Sequence, residues 1–168
     1  MFSSDFNKAI AQESNTKVAQ LETSLGTIKI KLFTKEAPLT SQNFIDLINK
    51  GFYDGIIFHR VIDGFMIQGG DPTGTGMGGS GTVIPDEFKT GLSHGKPGIL
   101  SMANAGPGTT SSQFFITLTP QARLDGGYSI FGEVIEGMEV VTAIGKVKTG
   151  VNDRPIEDVK IIKATILE

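Results

Sequence analysis

Glycine cuts this chain so often that, beyond residue 50, almost every apolar run stops at strand length. There are 22 glycines in 168 residues and no Gly-X-Y period, which reads as many turns between short strands. The runs 57–62, 65–68, 99–102, 114–118 and 129–135 are each the length of one strand. Before them, Ile28, Ile30 and Leu32 alternate with Thr27, Lys29 and Lys31 at the two-residue period of a half-buried strand. In 156–166 the alternation of Val159 and Ile161 changes phase at Ile162, Ala164 and Ile166, which predicts a β-bulge or burial on both faces. Two segments read as helices. Pro38 opens one over about 38–50, with Phe44, Leu47 and Ile48 as its stripe and Gly51 as a left-handed stop; Met138, Val141 and Ile144 share a face over 138–144, with Gly145 at the end.

Two helices among about eight strands, with few connections long enough for parallel crossovers, favour a mainly β fold. The expected form is a closed eight-stranded antiparallel barrel capped by the two α-helices, although pattern alone leaves a sandwich open. The length suits one domain, at 16–168, preceded by an arm at 1–15 that is either a short helix or disordered.

Fifteen basic against 18 acidic residues leave a net charge of −3, which gives no field for nucleic acid or an anionic membrane. The absence of cysteine excludes disulfides, thiolate metal sites and cysteine nucleophiles. Without a basic leader or an apolar stretch of membrane-spanning length, a cytoplasmic location is expected, and the even charge pattern is consistent with a monomer.

The segments FHRVIDGFMIQGGDPTGTG (58–76) and GILSMANAGPGTTSSQFFITL (98–118), followed by LDGGYSIFGEVIEGMEVV (124–141), resemble the paired signature of the cyclophilin family. The similarity spans about residues 17–167. It implies a closed eight-stranded barrel with two helices and a peptidyl-prolyl cis-trans isomerase that assists folding and uses no cofactor or metal. Its partners would be proline-containing peptides and unfolded or flexible proteins. Position by position, the catalytic arginine falls on Arg60 and the proline pocket on Phe65, Met66, Phe115 and Leu124. Gln68, Ala103, Asn104 and Gln113 fall on positions that contact the substrate backbone. Two positions depart from the best-known members: Arg123 stands where many have Trp, and Tyr128 where many have His. The first predicts weak binding of cyclosporin, while Tyr128 keeps a flat wall and a polar tip on the pocket.

The residues must also meet a geometric condition. With a two-residue connection at Asp63 and Gly64, Arg60 and Gln68 would lie on opposite faces of the hairpin; a three-residue loop that includes Phe65 pairs them and puts Arg60, Met66 and Gln68 on one face.

Other readings compete at single positions. A strand arginine is usually an ion-paired surface group, an apolar residue is usually core, and Asn104 and Gln113 could serve only local hydrogen bonds. His59 reads as structural, since His94 is the only other imidazole. Gly74, Gly76 and Gly79 satisfy G-x-G-x-x-G, but no apolar-periodic helix follows, so the segment reads as a surface loop. Ser111 and Ser112 lack a nucleophile-elbow pattern. The rival to the enzyme is a binding module of the same fold with little turnover.

Overall fold

The computed structural model describes residues 17–167, so the arm expected at 1–15 lies outside the described residues. Eight strands form one sheet: β1 (Val18–Thr23), β2 (Gly26–Leu32), β3 (Arg60–Ile62), β4 (Met66–Gly69), β5 (Ile99–Met102), β6 (Phe114–Thr117), β7 (Ile130–Glu136) and β8 (Ile161–Leu167). Their order is β3-β4-β6-β5-β7-β2-β1-β8, and every pairing is antiparallel. Helices α1 (Pro38–Asn49) and α2 (Met138–Gly145) stand close to the two expected segments.

The expectation of a closed barrel needs correction. β3 and β8 end the strand order and do not pair along their lengths. Residues 55–58 span the seam instead, through the isolated bridge Ile57↔Lys160 and the hydrogen bonds from Phe58 N to Val159 O (2.8 Å) and from Ile161 N to Ile56 O (2.9 Å). The barrel is therefore open at this seam. Of the strand expected at 57–62, only Arg60–Ile62 joins the ladder. Consecutive Phe58 and His59 are both buried, so the chain there crosses packed material rather than alternating between faces.

Ile28, Ile30 and Leu32 are buried as their alternation requires. β1 went unnoticed in the sequence because Ala19 and Gln20 dilute the strand signal, yet Ala19, Leu21 and Thr23 are its buried face and a two-residue turn at Ser24 and Leu25 joins it to β2. In β8 the bulge alternative holds. Thr23 faces Ile161 while Glu22 faces Lys163, which leaves Ile162 unpaired and 60% exposed.

The core lies between the inner sheet face and the helices. Phe44 of α1 packs on Tyr53, Phe114 and Phe131 with ring centroids 5.0–5.6 Å apart. Ala37 gives α1 no side-chain cap; Glu87, far along the chain, accepts from Leu39 N (3.2 Å) and Thr40 N (2.6 Å). Gly51, at φ +73°, supplies the left-handed stop after α1. Gly145 does not act this way. It is the last residue of α2 without a left-handed φ, and a Cβ there would press on the methyl groups of Leu118.

Candidate active site

The β3–β4 register is Arg60↔Gln68, Val61↔Ile67 and Ile62↔Met66, with Asp63, Gly64 and Phe65 as the three-residue loop that the site requires. The pairing continues across the sheet, because Gln68 faces Phe115 on β6 and Phe115 faces Ser101 on β5. Directly opposed residues project to the same side, so Arg60, Gln68, Phe115 and Ser101 form one row across four strands. The alternate row, Val61, Ile67, Ile116 and Leu100, is buried in the core on the other face.

A recess of about 120 Å³ opens on the first row, lined by Arg60, Phe65, Met66, Gln68, Ala103, Asn104, Phe115, Leu124 and Tyr128. Each lining residue is placed by its local structure. Met66 and Phe115 come from strands, and Phe65 from the hairpin loop, where its carbonyl accepts from Leu118 N at 2.9 Å. Leu124 ends a short 3-10 turn, and Tyr128 meets Phe115 edge-on at 5.6 Å. Arg60, the one charged residue of the lining, is exposed.

Gln113 is set apart from the other expected residues. It lines a neighbouring recess of about 330 Å³ together with Met77 and Thr109, and Gln68, Ala103 and Asn104 are shared between the two. A polar chain joins them. An Arg60 N–H makes a long contact of 3.5 Å to Gln68 Oε1, Gln68 Nε2 donates to Gln113 Oε1 at 2.9 Å, and Gln113 Nε2 donates to the carbonyls of Gly76 and Gly78, each at 2.9 Å. Asn104 donates to Gly127 O and accepts from Gly106 N. Local hydrogen bonding, one of the readings open at Asn104 and Gln113, is thus present at both.

The sequence reading missed the anchor of the glycine-rich loop. Asp71 is fully buried, and its carboxylate accepts from the N–H groups of Thr73 (2.8 Å), Gly76 (2.7 Å) and Gly78 (3.0 Å) and from the Thr73 hydroxyl. Burial opposes its ionisation, but the hydrogen bonds from Gly78, Thr73 and Gly76 outweigh that and hold its pKa down at about 2. Amides that could have cradled a phosphate are turned onto an internal carboxylate. The available signal was an aspartate just ahead of Thr and Gly turn residues. Before it, Gly70 adopts φ +92°, and a Cβ there would collide with the Ser112 carbonyl. His59 is buried, and desolvation lowers its pKa.

On the rim, the guanidinium of Arg123 lies 5.1 Å from the centroid of the Phe65 ring, and its Nε donates to Gln121 Oε1 at 3.1 Å. Neither recess is lined by an acidic side chain, and among the described residues no cluster of three His, Cys, Asp or Glu could hold a metal ion. Among the described residues no helix is long and apolar enough to cross a membrane.

Residues 18–166 match the family described as cyclophilin type peptidyl-prolyl cis-trans isomerase/CLD. The chain belongs to the cyclophilin-type peptidyl-prolyl cis-trans isomerases. Its relatives include a peptidyl-prolyl cis-trans isomerase of Schizosaccharomyces pombe, 57% identical over 88% of this chain and 97% of that one. A peptidyl-prolyl cis-trans isomerase-like 1 of Gibberella zeae is 54% identical over 88% of this chain and 93% of its own length. Among solved structures, a Cryptosporidium parvum cyclophilin type isomerase superposes with a TM-score of 0.88 at 38% identity, covering 91% of this chain and 98% of that one. A second crystal structure of that isomerase, obtained in the presence of the dipeptide Ala-Pro, gives 0.86 at 39% identity over 90% and 99%. This cyclophilin is thus an enzyme that accelerates cis-trans rotation about X-Pro peptide bonds.

Proposed function

We propose that rotation is catalysed in the recess between Arg60 and Phe115, with Arg60 as the catalytic group. The single observation that carries this reading is the cross-strand row that sets one guanidinium beside a small recess walled by Phe65, Met66, Phe115 and Leu124. Peptide rotation is opposed by a barrier of about 18–20 kcal/mol because the nitrogen lone pair is delocalised into the carbonyl. X-Pro isomers differ by only about 0.5–1 kcal/mol, so the substrate lacks speed and not driving force. Bringing tens of seconds down to milliseconds takes about 5.4 kcal/mol, at about 1.36 kcal/mol per decade.

Arg60 supplies part of that by donating a hydrogen bond to the prolyl nitrogen, or to the turning carbonyl oxygen, as the amide leaves planarity. Its charge is fixed and its planar fork holds direction. The long contact to Gln68 steers the guanidinium without saturating it. Phe65, Met66, Phe115, Leu124 and Tyr128 grip the pyrrolidine ring while the acyl side rotates, and the dry wall strengthens the electrostatic effect. Gln68, Ala103 and Asn104 contact the substrate backbone along the shared edge of the two recesses, and Gln113 does so from the neighbouring recess.

The substrates proposed are proline-containing segments of unfolded or flexible polypeptides, handled by a cytoplasmic monomer that assists folding. Arg123 occupies the face of Phe65 with a cation where a drug-binding member would offer an indole, so cyclosporin binds weakly.

The test is cis-trans exchange in a short Ala-Pro peptide, followed by NMR with wild type and Arg60→Ala. The wild type accelerates exchange and Arg60→Ala loses about 10²–10³ in kcat/KM. Peptide binding without acceleration by the wild type would replace the enzyme with a binding module, and full activity in Arg60→Ala would remove the arginine from the chemistry.

A further inference from the structure

Behind the recess lies a polar relay that the rotation chemistry does not use, with His94 and Ser101 buried and Asp125 at the surface. His94 is fully buried, with Nδ1 2.8 Å from Asp125 Oδ1 and Nε2 2.9 Å from Ser101 Oγ. Its ring stacks on Phe115 at 5.7 Å and 12° between planes, and stands edge-on to Tyr128 at 6.3 Å. Ser101 is the residue directly opposite Phe115 in the β5–β6 register. Asp125 follows Leu124 and also accepts from His94 N (2.7 Å) and the Ser93 hydroxyl (2.6 Å).

These partners fix the proton. An ionised carboxylate can only accept, so Nδ1 carries the hydrogen and Nε2 accepts from the Ser101 hydroxyl. Burial holds the imidazole pKa below its ordinary value even though Asp125 pulls the other way, so the ring is neutral at pH 7. The order Asp-His-Ser is that of a hydrolytic triad, but Ser101 is fully buried on the Phe115 row and no acyl carbon can approach it.

We propose that Asp125, His94 and Ser101 are positioning residues for isomerisation: the imidazole, pinned at both nitrogens, is a fixed flat plate that sets the plane of Phe115 against the turn bearing Leu124. The proposal rests on Phe115 being a wall of the proline site. A ring held by one contact can turn about its bonds, whereas one held at both nitrogens cannot, and the imidazole and the Ser101 hydroxyl are held inside the protein away from water. Phe115 stacks on this plate and lines the recess, so its tilt, and hence the distance from a bound proline to Arg60, follows the imidazole.

The test combines ¹⁵N NMR of the imidazole with exchange kinetics and peptide binding for wild type, Asp125→Ala, Asp125→Asn and Ser101→Ala, with Arg60→Ala alongside. The wild type shows the Nδ1-protonated tautomer. Asp125→Ala shifts it towards Nε2 and lowers kcat about tenfold, while the dissociation constant for an Ala-Pro peptide changes by less than about twofold. Asp125→Asn, whose Oδ1 can still accept from Nδ1, recovers most of the loss. An Nε2-protonated wild type, wild-type turnover in Asp125→Ala, or equal losses of binding and turnover with no recovery in Asp125→Asn would each overturn the proposal. If Asp125→Ala does not fold, the same selective loss of kcat in Ser101→Ala is required, and its absence overturns the relay. Full activity in Arg60→Ala would count against the reaction scheme and not against the relay.

Discussion

Gln68 donates its side-chain amide to Gln113 across 2.9 Å, and that bond ties the arginine's steering residue to a loop held by a buried carboxylate. Arg60, in long contact with Gln68, stands at one end of this chain and Asp71 at the other, so the recess is joined to the glycine-rich loop outside it.

Gln113→Leu therefore lowers kcat/KM about tenfold, because Gln68 and the carbonyls of Gly76 and Gly78 each lose a partner and Gln68 is released from its orientation. Exchange kinetics with the Ala-Pro peptide check this; unchanged kinetics would separate the polar chain from catalysis.

Asp71 makes the glycine-rich loop acid-labile. Its folded-state pKa of about 2 lies below the unfolded value, so its contribution is complete above about pH 4 and is lost as pH falls towards 2. The buried imidazoles of His59 and His94 act at higher pH: both are held below their ordinary value, so the unfolded state takes up protons first and stability begins to fall below about pH 6.5. Denaturant unfolding from pH 7 to 2 should show both phases, and Asp71→Asn should shrink the lower one, which Asp125, also held below its ordinary value, shares, while costing roughly 2–3 kcal/mol at pH 7.

Glu87→Ala uncaps α1 from a distance. With Leu39 N, Thr40 N and the Thr40 hydroxyl left without their acceptor, unfolding free energy falls by about 1–2 kcal/mol, measured in urea at pH 7. Because Glu87 lines neither recess, peptide exchange should keep its wild-type rate below the melting transition.

Arg123→Trp replaces the cation over Phe65 with an indole. Cyclosporin affinity rises at least about tenfold by titration calorimetry, corresponding to the roughly 1.4 kcal/mol expected of an added aromatic contact. No gain would remove Arg123 from the proposal that this rim disfavours the drug.

Much of this was readable in advance, for identifiable reasons. Ile28, Ile30 and Leu32 signalled a strand because one of its faces is buried; counting faces through the turn left two registers, and the site implied by the cyclophilin resemblance selected the Arg60–Gln68 one. The β8 bulge showed as a break in alternation. Three features were not readable. β1 carries Ala19 and Gln20, which have weak strand preference. The seam between β3 and β8 depends on a crossing chain at Phe58 and His59 whose two buried neighbours look like strand in sequence. The Asp125–His94–Ser101 relay joins three residues from separate segments, and their spacing in the chain says nothing about their contact.

The alternation of rows also bears on how such a chain can change over generations. Phe115 sits between Phe114 and Ile116, and Arg60 and Gln68 each adjoin a core residue, so inserting or deleting one residue within these strands would turn recess-lining groups inward and greasy ones outward in a single step. Length variation is thereby confined to the connections, and within the stretch between Asp71 and Gly98 it must spare Thr73, Gly76, Gly78, Glu87 and His94, whose contacts reach back to Asp71, Gln113, α1 and Ser101.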